Sequence, residues 1–203
     1  LPLFLQVVNG ASPTGSGLQM LPMMGGMLIT SITSGQIITR RGRYKMFPVA
    51  GTAVMVLGLF LLSRMTSATT IAGASLNMLV LGLGLGMVMQ VLVIAVQNAV
   101  EYRDLGVATS GATLFRLIGG SLGTAVFGAI FASGLAAHLS RTLPPGTAAQ
   151  VEGGAGLSPQ LLAQPPAAVH AIYIDAFTAS LSTVFLTAMT IALIAFVLTW
   201  FVP

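Results

Sequence analysis

The chain has 203 residues, of which 55% are hydrophobic and only 6% charged, whereas an ordinary soluble domain carries about 25% Asp, Glu, Lys and Arg. So little polar surface excludes a water-soluble globule, and a net charge of +4 that is local and free of interleaved aromatics argues against a nucleic-acid partner. The absence of cysteine removes structural disulfides, iron–sulfur clusters and thiol chemistry.

In chain order, Leu1 to Val8 is apolar but too short to cross a bilayer, and reads as the last two turns of a helix that begins further upstream. Apolar runs long enough to span, at about 17–25 residues each, are predicted near 18–38, 47–63, 74–99, 106–133 and 172–201. They are too long and too uniformly apolar for strands. The expected class is therefore an all-α integral membrane protein with five full transmembrane helices and an N-terminal helix stub, in contact with the lipid bilayer on its outer faces.

Short connections fall at about 39–46 and 100–105, and a long one is predicted over about 134–171. That stretch contains Pro144, Pro145, Pro159, Pro165 and Pro166, so little regular structure is expected in it. Arg40, Arg41, Arg43 and Lys45 crowd into the first short loop and Arg103 lies in the second. Because loops rich in Lys and Arg stay on the cytoplasmic side, both loops and the C-terminus are expected inside. Arg64 and Arg141 then lie outside, and the setting is an inner or plasma membrane.

In the first span Met20, Met23, Met24 and Met27 recur at helical spacing. Such a stripe serves either core packing or a flexible, polarizable binding surface, and Met24 and Met27 are the candidates for the latter. The third span carries Gly82, Gly86, Gln90, Val93 and Gln97 within about 80° of one another. Gly82 and Gly86 are predicted to let a neighbouring helix approach. Gln90 is predicted to face a cavity or to hydrogen-bond between helices, with Gln97 and Asn98 near a cytoplasmic mouth. The G-x-G-x-G of this run follows no strand, so it is not a nucleotide loop. No cofactor is expected.

Arg116 stands near the middle of the fourth span, where a guanidinium costs roughly 2.5–3.5 kcal/mol and marks a pathway or a paired site; the alternative is a structural arginine reaching for the interface. Behind it Gly119, Gly120, Gly123 and Gly128 form small-residue rows suited to close helix packing. Asp175 opens the last span, where it either protonates during a working cycle or caps the helix. His138 and His170 have no partner at ligand spacing, so no metal site is expected. With no nucleophile–base pair either, the chain does not read as an enzyme.

Three longer stretches carry a resemblance. "GQIITRRGRYK" keeps Gly35, Arg40, Gly42, Arg43 and Lys45 at the spacing of the loop signature of the major facilitator superfamily, with Thr39 where the family has an acid. "LQVVNGASPTGSGLQMLP" and "QNAVEYRDLGVATSGATLFRLIGGSLGTAVFG" resemble segments of that superfamily's fourteen-helix drug:proton antiporters. The resemblance implies a single C-terminal half-domain over 1–203 whose N-terminal half is missing. It implies proton-coupled export of hydrophobic small molecules by alternating access between two bundles, with a gating role for the basic loop. The spans near 18–38 and 106–133 would form the seam between halves, and the one near 74–99 the cavity wall. Thr39 removes a carboxylate relay from this copy of the loop. Other readings are a facilitator of another solute, such as a sugar, peptide or siderophore, by uniport or symport, and a non-transporting membrane scaffold.

Overall fold

The computed structural model describes residues 2–41, 45–142 and 167–200; of Arg41 and residues 167–170 only the backbone is described. The helices are α1 (Pro2–Val7), α2 (Pro13–Leu18), α3 (Leu21–Arg41), α4 (Met46–Ser63), α5 (Ile71–Asn98), α6 (Leu105–Thr142) and α7 (Ala167–Thr199). A single 3-10 turn, Tyr102–Asp104, leads into α6, and no strand occurs among the described residues. Five of the helices are long and apolar enough to cross a membrane: α2 with α3 as one span, then α4, α5, α6 and α7.

Local chemistry explains the breaks. Gly10 takes a positive φ of 65° between α1 and α2, a conformation that costs glycine nothing. Ser12 then caps α2 by accepting the Gly15 N–H at 3.0 Å, with Pro13 at the first helical position where its missing N–H is harmless. Thr70 caps α5 in the same way through the Gly73 N–H at 3.2 Å. Between α5 and α6 the only described ion pairs are local: Arg103 Nε lies 3.2 Å from Glu101 and 3.6 Å from Asp104, all three exposed. A pairing of either acid with Arg41 or Arg43 of the basic loop lies outside the described side chains.

The predicted long loop is too wide at both ends. α6 continues to Thr142 and α7 begins at Ala167, so 134–142 and 167–171 are helical; residues 143–166 lie outside those described. The bare Cα of Gly134 lets α6 lie against α7: a Cβ there would sit 3.3 Å from Ser180 Oγ. Leu135 and Leu139, one turn apart, then bury against the core, which holds the helix on course for another two turns.

The packing order runs α3, α5, α4, α7, α6. α5 lies along both α3 and α4, α4 packs on α7, and α7 on α6, whereas α5 touches α6 over a few residues only. The α4–α5 contact is antiparallel and built on glycines: Gly58 meets the Leu81 backbone, Gly84 meets Met55, and Gly51 meets Val88. Without a hydrophobic drive between helices in lipid, such close backbone approach supplies the dispersion energy. One interhelical bond crosses from α7 to α4, where Ser182 Oγ donates to the Ser63 carbonyl at 2.6 Å. The same core closes the end near α1, where Phe4 and Leu5 are fully buried in one cluster with residues of α4 to α7 such as Leu62, Met78, Leu139 and Phe177.

Candidate functional site

Two clefts flank the C-terminal half of α5. The first is polar, about 460 Å³, and lies between α3 and α5; Ser31, Gly35, Thr39, Arg40 and Gln90 line it. The second is apolar, about 340 Å³, and lies between α5 and α6; Met89, Leu92, Val93 and Val96 face Ala112 and Arg116 across it.

The polar cleft grows out of the α3–α5 seam. Gly82 sits against the Met23 carbonyl and Gly86 against the Met27 carbonyl. One further turn along, Ser31 Oγ donates to Gln90 Oε1 at 3.3 Å, holding the same 59-residue offset. Both helices run in the same direction, so each advance of four residues on one meets an advance of four on the other. Gly35 closes this register: a Cβ on it would stand 3.6 Å from Gln90 Cγ. Gln90 is thus both an interhelical partner and a wall of the polar cleft. Replacing it with Leu is expected to lower stability by about 0.6 kcal/mol and no more than about 1.7 kcal/mol. A double-mutant cycle with Ser31→Ala on purified protein measures this bond, and a coupling energy of zero would show that it contributes nothing.

The remaining site candidates scatter. Arg40 reaches the polar cleft, and Lys45 is exposed at the start of α4 without a side-chain cap bond. Gly42 and Arg43 lie outside the described residues. Gln97 and Asn98 are exposed at the end of α5 and line neither cleft. Met24 and Met27 are 55% and 38% exposed on the outer side of α3 and line neither cleft, while Met20 and Met23 pack on the core. The stripe therefore divides, two methionines inward and two outward.

On α6 the small-residue rows find no neighbour on another helix among the described residues. A Cβ on Gly119, Gly120 or Gly128 would meet nothing within 4 Å, and on Gly123 only Phe127 of the same helix, at 3.9 Å. The expected close packing is therefore not made among the described residues. Asp175 does not cap its helix, because α7 begins at Ala167, two turns earlier; its side chain is exposed on α7. His138 Nδ1 bonds the Gly134 carbonyl at 2.9 Å within its own helix.

Gly51, Gly58, Gly84 and Gly134, which carry close contacts, were not singled out from the sequence. The signal for Gly84 was present in "GLGLG". It lies two residues from Gly82 and from Gly86, about 200° around the helix, so a run of alternating glycines serves two opposite neighbours at once.

No family model matches the chain. Over 198 residues it is 46% identical to an uncharacterized MFS-type transporter of Mycobacterium tuberculosis, a match that covers 98% of this chain and 28% of that protein. It is 37% identical over 130 residues to a multidrug transporter protein of Bacillus subtilis, covering 64% of the chain and 24% of the relative. A tetracycline resistance determinant of Streptomyces rimosus is 35% identical over 136 residues, with 66% of the chain and 39% of the relative covered.

The chain belongs to the major facilitator superfamily. As a major facilitator chain it is a multi-pass membrane protein, and these relatives are named as transporters and a tetracycline resistance determinant rather than as enzymes. It spans well under half the length of each of these relatives.

Proposed function

We propose that this chain is the C-terminal part of a secondary transporter that exports hydrophobic small molecules in exchange for protons, by alternating access. The observation that carries the reading is the match along 98% of the chain to an MFS-type transporter, joined by relatives named for multidrug transport and tetracycline resistance. The clefts beside α5 support it, because ligand sites are concave, mainly apolar and furnished with a few polar groups. In this reading the unpartnered glycine rows of α6 and the outer face of α3, with Met24 and Met27, meet the N-terminal half at the seam. Arg40, Arg43 and Lys45 act with Gly35 and Gly42 in the loop that gates the inner side. Asp175, exposed within α7, is a candidate for protonation.

The test is export of ethidium by cells expressing the full-length transporter. Retention of dye is expected to fall relative to empty cells, and a protonophore is expected to restore it. Export that continues unchanged after the proton gradient is collapsed would rule out antiport and favour a facilitator of another kind.

We further propose that the loop at 39–46, the turn at 100–105 and the C-terminus are cytoplasmic, since by the count of spans Arg40, Arg41, Arg43, Lys45 and Arg103 fall in connections of one side and Arg64 and Arg141 in those of the other. Arg64→Cys is expected to react with an impermeant maleimide in intact cells, and Lys45→Cys only after permeabilisation. The reverse pattern would invert the topology.

A further inference from the structure

The polar cleft between α3 and α5 owes its chemistry to the hydrogen atoms already committed in its walls. Ser31 Oγ gives its proton to Gln90 Oε1 at 3.3 Å, and Thr39 Oγ1 gives its own to the Gly35 carbonyl at 2.9 Å. A hydroxyl has one proton to donate, so both residues keep only lone pairs for a ligand. The Ser31 bond also fixes which end of the Gln90 amide turns away from α3. With Oε1 held, Nε2 has no acceptor among the described residues, and it is not one of the polar atoms sealed without a partner.

Gly35 keeps that nitrogen open. A Cβ on Gly35 would stand 3.7 Å from Nε2, and both residues line the cleft, so the bare Cα leaves the space in front of the amide free. Gln90 lies eight residues before the end of α5, about 12 Å along the helix. In a hydrocarbon core about 30 Å thick that is well below the interface. An amide donor at such depth is costly unless something accepts from it, and lipid tails cannot. Ile32 and Ile94 form the rest of the inner wall. A ligand seated there meets one pair of N–H donors on an apolar floor.

We propose that this cleft binds neutral lipophilic compounds through a carbonyl oxygen, which accepts from Gln90 Nε2 while the hydrocarbon body rests on Ile32 and Ile94. The cleft volume of about 460 Å³ falls within the range of small-molecule sites. This deepens the efflux reading and rests on it for transport alone: the substrate class becomes ketones, quinones and other carbonyl-bearing lipophiles.

Three tricyclic compounds of nearly one shape provide the test, because 9-fluorenone carries an acceptor, carbazole a donor and fluorene neither. Equilibrium binding to the purified full-length transporter in nanodiscs is measured, each value corrected for partition into empty nanodiscs. 9-Fluorenone is expected to bind about fivefold more tightly than the other two, the effect of one net hydrogen bond. Gln90→Leu is expected to bring all three within about twofold, and persistent fluorene binding shows that the variant is folded. Ser31→Ala leaves the amide in place but free to turn, and is expected to narrow the gap between 9-fluorenone and carbazole to about twofold. It carries the test should Gln90→Leu fail to fold.

Equal binding of the three compounds by the wild type overturns the proposal, as it would if another part of the transporter filled the cleft. Tighter binding of carbazole than of 9-fluorenone, or an undiminished preference in either variant, overturns it as well. Ethidium export measured in parallel separates the two readings. Export without a carbonyl preference removes the site and leaves the efflux reading standing; a carbonyl preference in a transporter that exports nothing does the opposite.

Discussion

Replacing Gly86 with Leu is expected to abolish folding of the full-length transporter. A Cβ at this position would run into the Met27 carbonyl and the Thr30 hydroxyl, and the Thr30 hydroxyl is itself tied to the Gly26 carbonyl at 2.8 Å. The obstacle is therefore backbone and a tethered side chain, neither of which can swing aside. Ordinary overpacking costs about 1–3 kcal/mol because side chains find other rotamers; here α3 and α5 must separate, and the neighbouring Gly82–Met23 and Ser31–Gln90 contacts separate with them. Size-exclusion elution and thermal unfolding of purified protein provide the measurement. Gly25→Ala, where a Cβ would meet nothing within 4 Å, is the control and should melt within a few degrees of wild type. A Gly86→Leu protein that elutes and melts like the parent would mean that the α3–α5 seam is looser than described.

The second large effect is expected at Phe177. Its ring is 4% exposed, meets Phe131 edge-on with centroids 5.1 Å apart, and leans on Tyr173 at 6.2 Å. It thereby fastens α7 to α6 inside the cluster that also holds Phe4 and Leu5. Phe177→Ala is expected to cost about 2 kcal/mol or more, since each Å³ of unfilled cavity costs about 24 cal/mol and a phenyl group leaves a large one. Transfer of the ring into lipid offsets the hydrophobic part of that loss but not the lost packing. Phe177→Leu refills most of the space and should cost clearly less. Equal destabilisation by Ala and Leu, read as unfolding midpoints in the same detergent, would place the effect in the aromatic pairing rather than in the cavity.

The class of the molecule was plain in the residues, because runs such as Ile71–Asn98 can be satisfied in lipid only as helices. Boundaries were less so. The fourth span reads as ending near 133, whereas Gly134 packs closely against Ser180 and α6 runs on to Thr142. The site was legible in pieces. Gly82, Gly86 and Gln90 were visible as one stripe because a single helix fixes their relative angles. Which neighbour that stripe meets depends on the packing order α3, α5, α4, and no periodicity encodes that order. Arg116 drew notice as a charge in an apolar run, but the cleft around it is made half from α5, which helical spacing on α6 could not reveal. Met24 and Met27 shared a stripe with Met20 and Met23 in sequence, but only Met20 and Met23 pack on the core while the other two are exposed.

The three glycines of "GLGLG" also bear on how the molecule can deform. With Gly82 and Gly86 keyed to carbonyls on α3 and Gly84 keyed to Met55 on α4, α5 is held like a splined shaft. A screw motion by one residue, about 1.5 Å with a turn of about 100°, would drive Leu81, Leu83 or Leu85 onto the rails that now hold hydrogen atoms. α3, α4 and α5 therefore tilt and translate as one solid piece. The α6–α7 pair, joined to that piece chiefly through α4 and touching α5 lightly, is the part with freedom to swing, and the α5–α6 cleft is where such a swing would widen or close the space around Arg116.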